Sequence, residues 1–139
     1  MRNIKKNCLK PLLFAGLGLT IATIVFASVR NPFDEPGRPG RPSVFDIEAD
    51  WAKIRFKKPH SDGGDPIRSY RVEYKSEKNN KWELETYLDP QYSVYDVVEG
   101  TVNNRVGKNP VSFRAKSVNR AGESEPSLPS DPITFRDPF

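Results

Sequence analysis

Beyond residue 30, apolar side chains recur at every second position between glycine and proline turns, and this pattern leaves the chain few folds to choose from. Tyr70, Val72 and Tyr74 alternate with Arg71 and Glu73, and Val111, Phe113 and Ala115 alternate with Ser112 and Arg114. Ala52, Ile54 and Phe56 likewise alternate with Lys53, Arg55 and Lys57. A period of two places one set on each face of a strand, so each run is a strand with one buried and one wet face. Turn residues bound seven such runs: Ser43–Glu48, Trp51–Lys58, Ile67–Lys75, Lys81–Tyr87, Tyr92–Val98, Val111–Val118 and Ile133–Arg136. Trp82 and Leu84 are the inward side chains expected of the fourth, Tyr92 and Val94 of the fifth. The last follows Pro129 and Pro132, which cannot donate to a ladder, so it belongs at a sheet edge. No helical periodicity follows residue 30. Seven short alternating strands in about 100 residues predict an all-β, two-sheet antiparallel sandwich.

The N-terminal part obeys different physics. Nineteen uncharged residues, Pro11 to Val29, lie between Lys10 and Arg30. As one hydrophobic helix they would span about 28 Å, close to the thickness of a bilayer core. Basic residues precede the run, which keeps residues 1–10 cytoplasmic and sends the domain across the membrane. Residues 1–30 therefore read as a signal anchor, contacting the membrane through residues 11–29. A signal peptide cut after Ala27 is the alternative, and a third reading takes residues 1–30 as foreign to the domain.

Charge divides along the same boundary. Residues 1–30 hold five basic residues and no acidic one, leaving 17 basic against 18 acidic residues in the rest. With no concentrated basic surface beyond the leader, no nucleic-acid partner is expected. The single cysteine, Cys8, lies in the leader, so neither a disulfide nor a thiolate metal site is available to the domain.

Residues 31–42 contain four prolines and two glycines and predict a stiff extended linker. The domain is expected over residues 43–136. Asp137-Pro138-Phe139 echoes Asn31-Pro32-Phe33, so residues 137–139 read as the start of a following linker in a tandem array.

Chemistry finds little support. His60 is the only histidine, and its neighbours Ser61 and Asp62 adjoin it in sequence, which is not triad geometry. Asp62-Gly63-Gly64-Asp65 lacks the spaced ligands of a calcium loop. No catalytic residue, metal or cofactor is expected. Contacts with partners fall to the loops, with Asn119, Arg120 and Glu123 in one and Arg105 and Lys108 in another.

Asp62-Gly-Gly-Asp-Pro-Ile67 followed by Tyr70-Arg-Val-Glu-Tyr74, the Trp82 strand, and Phe113-Arg-Ala115 leading to Asn119-Arg-Ala-Gly122 resemble a fibronectin type III domain over roughly residues 36–136. The Pro-Gly-Arg repeats, Glu125-Pro-Ser-Leu-Pro-Ser-Asp-Pro-Ile133 and the Asp-Pro-Phe phrase resemble the titin and twitchin class of giant muscle proteins. The resemblance implies a seven-stranded immunoglobulin-like sandwich and a non-catalytic protein-binding or spacer module. Its partners would be thick-filament proteins or neighbouring repeats, in the cytoplasm of the sarcomere. A membrane-anchored or secreted ectodomain in adhesion or reception is the alternative, favoured by the leader. Against the family pattern, Phe56 stands in place of a tryptophan and Val111 in place of the corner tyrosine. About eight additional residues, Val102–Asn109, are expected to form a mobile loop.

Overall fold

The computed structural model describes residues 32–90 and 93–138. The apolar run 11–29, with its expected helix and membrane contact, lies outside the described residues, as do Tyr92 and Phe139. Among the described residues no helix is long and apolar enough to cross a membrane.

Eight short strands form two antiparallel four-stranded sheets. They are β1 (Ser43–Phe45), β2 (Trp51–Lys57), β3 (Ser69–Ser76), β4 (Glu83–Leu88), β5 (Ser93–Val94), β6 (Val97–Asn103), β7 (Val111–Asn119) and β8 (Gly122–Glu123). One sheet runs in the order β1-β2-β6-β5, the other β4-β3-β7-β8. Ala52, Ile54 and Phe56 from β2 meet Tyr70 and Val72 from β3, Val98 and Val102 from β6, and Phe113 and Ala115 from β7, all buried. The Phe56 and Tyr70 rings pack edge to face at 5.3 Å, a contact worth about 0.5–1.5 kcal/mol beyond its buried area.

Three expected strands come out differently. The fifth is split, because Tyr95 and Asp96 turn the chain between β5 and β6, with Val94 paired to Val97. Tyr95 holds a left-handed φ of 57° and is 90% exposed. The second half of the split strand, β6, then extends to Asn103, so Val102 is a core residue opposite Ala52 rather than the start of a loop. In the fourth, a bulge opposite Val72 and Glu73 shifts the pairing. One extra residue exchanges the two faces of a strand. Leu84 consequently lies on the outer side, 43% exposed, while Glu85 is buried. Leu88 packs on the core beside Gly100, where a Cβ would stand 2.4 Å from a Leu88 methyl.

Ile133–Arg136 forms no strand, although Phe135 is buried in the core. Only Ile133 bridges to Val111, each amide donating to the other's carbonyl at 2.9 Å. This main-chain pair ties down the start of β7. Between Ser124 and Ile133 the chain instead repeats Ser-x-Pro three times. Ser124, Ser127 and Ser130 donate their amides to the carbonyls of Ser117, Ala115 and Phe113 at 2.8, 2.8 and 2.7 Å. Their hydroxyls accept from the amides of the same three β7 residues, each at 2.9 Å. Each proline lacks an N–H, and each serine supplies a second ladder bond through its side chain.

The proline tract before β1 uses the same three-residue rhythm, which is that of a polyproline helix. Pro36, Pro39 and Pro42 are buried. The amides of Asp34, Gly37 and Gly40 donate to the carbonyls of Gly63, Ser61 and Lys57, each at 2.9 Å. Arg41 donates Nε to the Pro129 carbonyl at 2.8 Å, joining this tract to the serine-proline edge. The tract expected as a stiff extended linker thus lies along the sandwich.

Among the described residues, one buried side-chain group has no hydrogen-bond partner, the hydroxyl of Ser117 on the inward face of β7. Burying an unpaired hydroxyl costs roughly 1–3 kcal/mol. Ser117→Ala is therefore expected to leave stability unchanged or raise it by about 1 kcal/mol, as read from the urea midpoint. A loss above that size would mean the hydroxyl is satisfied in solution.

Candidate functional site

The five loop residues expected to meet partners fall at opposite ends of the sandwich. β7 separates them by eight residue steps, roughly 27 Å at strand rise. At one end, where the Asp34 tract enters, lie Asn119, Arg120 and Glu123. At the other, where Arg136 donates its amide to the Glu48 carbonyl, lie Arg105 and Lys108.

Asn119 is 4% exposed and is an internal bracket rather than a contact residue. Its Nδ2 donates to the carbonyls of Asp34 and Asp62 at 2.8 and 2.7 Å. Its Oδ1 accepts from the amides of Ala121 and Gly122 at 2.8 and 3.2 Å. One side chain thus fixes the proline tract, the Gly63-Gly64 turn and the β7–β8 hairpin together. Gly63 permits the approach: its φ is +78°, and a Cβ there would stand 2.1 Å from the Asp34 carbonyl oxygen.

Arg120 keeps an exposed side chain, but its geometry is preset. The buried Asp65 carboxylate accepts its amide at 2.9 Å and its guanidinium at 2.9 and 3.2 Å. The guanidinium also lies over the Phe33 ring, 4.8 Å from its centre. Sequence reading missed Asp65 and Phe33 as its partners. An aspartate directly before proline in a turn was the available sign, since that carboxylate is free to accept amides. Glu123 is exposed and lies 3.7 Å from Lys116.

At the far end, Val102 and Asn103 belong to β6, and what remains of the expected loop, residues 104–109, is a short structured turn. Asn104 Nδ2 donates to the carbonyls of Ala49 and Gly107 at 2.9 and 3.1 Å, and its Oδ1 accepts the Val106 amide at 3.0 Å. Asn109 Nδ2 donates to the Val106 carbonyl at 2.9 Å. Self-bonding asparagines, not length, decide the order of this loop. Arg105 donates Nε to the buried Glu85 carboxylate at 2.7 Å. Glu85 also accepts the Asn103 amide at 2.9 Å, closing β4 against β6. Lys108 pairs with Asp137.

The His60 turn contains no triad. Ser61 Oγ accepts the Gly63 amide at 3.0 Å and Asp62 Oδ1 accepts the Gly64 amide at 2.8 Å, so both act as turn acceptors. Among the described residues, no group of three or more histidine, cysteine, aspartate or glutamate side chains is arranged to hold a metal.

Two buried carboxylates respond to pH. The Arg120 amide, then its guanidinium, hold Asp65 below its ordinary 3.8 against the opposing effect of burial. Burial pushes Glu73 up, but hydrogen bonds from Arg114 and Arg71 and the charge of Lys116 hold it below its ordinary 4.5. A carboxyl with a depressed folded pKa stabilises fully above its unfolded value and loses that contribution as pH falls through the folded one. The urea midpoint is therefore expected to be level above about pH 5 and to fall on acidification below the ordinary carboxylate range. Asp65→Asn and Glu73→Gln should each flatten that fall, and an unchanged acid limb in both variants would contradict the assignment.

No family model matches the chain. The "Titin homolog" of Caenorhabditis elegans is 32% identical over 104 residues, covering 74% of this chain and, to the nearest per cent, 0% of that protein. The fast-type myosin-binding protein C of Mus musculus is 28% identical over 103 residues, covering 72% of this chain and 8% of the relative. Among solved structures, a titin module from human cardiac muscle is 33% identical with a TM-score of 0.57, and the match covers 78% of this chain and 97% of the module. The chain thus spans only a small share of the curated relatives and nearly the whole of a single module.

Proposed function

We propose, because the chain belongs to the fibronectin type III family in its titin-like form, that its described domain is a non-catalytic spacer and protein-binding module of the sarcomere. The observation that carries this reading is the disposition of the two terminal tracts. One enters beside Asn119 and the other leaves beside Glu48, at opposite ends of β7, and each is hydrogen-bonded to the sandwich. A unit so built passes tension through its backbone ladder and holds its neighbours apart. Arg120 and Glu123 at one end and Arg105 and Lys108 at the other would then meet adjoining modules, and the remaining faces would meet thick-filament proteins. Loops carried on a rigid scaffold suit such contacts.

Two measurements test it. Antibodies against the chain should stain muscle in a regular striated pattern, and the full chain should co-sediment with isolated thick filaments. Diffuse or membrane staining with no co-sedimentation would overturn the proposal.

A further inference from the structure

The outer surface of the β4-β3-β7-β8 sheet is built unlike the rest of the domain. The Trp82 ring, expected inward, lies instead under two cations: the Arg114 guanidinium is 4.3 Å from its centre and the Lys75 ammonium 5.1 Å. Further along β3, the Arg71 guanidinium is 5.9 Å from the Tyr87 ring and donates to its hydroxyl at 3.0 Å. Glu73, 5% exposed, sits between these pairs. Its carboxylate accepts Arg71 at 2.8 Å and Arg114 at 2.7 Å, with the Lys116 ammonium at 3.8 Å. Four cations thus share this face with two carboxylates, Glu73 and Glu123. Beyond residue 30 the chain holds 17 basic and 18 acidic residues, so its remainder carries 13 against 16. The outer face of the other sheet has a like surplus, Lys53, Arg55 and Lys57 against Glu99, but its ion pair is exposed, whereas here three cations gather on one buried carboxylate.

Aromatic stacking and the shared carboxylate hold the cations in place before any partner arrives. Little side-chain freedom remains to be lost on binding, and a guanidinium held flat presents its free N–H edge to a second carboxylate. Tyr87 and Leu84, 50% and 43% exposed, add apolar surface at the margin. We propose that this face docks an acidic protein segment whose carboxylates engage Arg71, Arg114 and Lys75 and whose apolar residues cover Leu84 and Tyr87. This rests on the protein-binding reading above and gives that partner its chemistry. A nucleic acid suits the face less well, because Glu73 and Glu123 repel phosphates and the surplus of two charges releases few counterions.

The test uses the full chain of 139 residues and, as probe, a short synthetic peptide of alternating glutamate and leucine. Of the two tryptophans, Trp82 lies on the face and Trp51 begins β2 in the other sheet. The peptide should move the Trp82 indole resonance and leave that of Trp51 in place. Lys75→Glu, which alters a cation held only by stacking, should weaken binding about tenfold, as should Arg114→Gln. Lys53→Glu on the opposite sheet should weaken it less than twofold. A Trp82 resonance that does not move would overturn the proposal. So would equal loss from Lys53→Glu, or displacement of the peptide by anionic vesicles or single-stranded nucleic acid. If thick-filament co-sedimentation persists when peptide binding fails, the face is wrong and the module reading stands; loss of both removes the module reading as well.

Discussion

Replacing Ser124, Ser127 and Ser130 together with alanine is expected to bring the domain close to unfolding. Each hydroxyl accepts an amide of β7, from Ser117, Ala115 and Phe113 in turn. Those three residues are at most 1% exposed, so water cannot replace a lost acceptor. The intervening prolines and the spacing of the tract leave no other backbone group at hand. An orphaned buried amide costs about 1–3 kcal/mol, so three together cost roughly 3–9 kcal/mol. A small domain has only about 5–15 kcal/mol to lose. The single Ser127→Ala variant should lose roughly 1–3 kcal/mol, and Ser43→Ala, at an exposed position, almost nothing. Urea denaturation reads all three. A triple variant within about 1 kcal/mol of the parent would show that the hydroxyls do not complete the ladder.

The second large effect belongs to Asn119. Alanine there removes four hydrogen bonds at once and leaves two amides and two carbonyls searching for partners. Some of these groups lie near solvent at the end of the sandwich, so roughly 2–4 kcal/mol is expected rather than the full sum. Asn119→Asp should be worse than alanine. It keeps the acceptor side but turns a carboxylate oxygen toward the Asp34 and Asp62 carbonyls, where a donor is required. The damage should also have a location. Amide exchange at Asp34, Gly37 and Gly40 should quicken in both variants while β2 and β7 stay protected, because Asn119 fastens the proline tract to the turn. Uniform quickening throughout the domain would mean that Asn119 supports the core rather than this junction.

These two features were the least legible in the sequence, for a physical reason. Ser-x-Pro repeats read as punctuation, since proline removes ladder donors and polar residues favour turns. Only the neighbouring strand reveals that serine restores the missing partner. Asn119 likewise read as a surface loop residue, because an asparagine beside Arg120 and Gly122 is normally solvated. Its burial depends on the Asp34 and Asp62 carbonyls, 85 and 57 residues away in the chain. Leu84 was misplaced by a single bulge, which local alternation cannot announce. By contrast, Val111, Phe113 and Ala115 were readable, because β7 keeps strict alternation and has a neighbour on each side.

What local order could dictate, it did dictate: the alternating apolar residues of β2, β3 and β7 specify strands, their inward faces and a two-layer sandwich, because side-chain direction in a strand follows from backbone geometry alone. Tertiary structure decided what non-local partners decide. It laid both proline tracts along the sheets, buried Asn119 and Glu73, and turned Trp82 outward between Lys75 and Arg114. The energies of those groups depend on atoms that the folded chain brings together across long separations, so no window of sequence contains them.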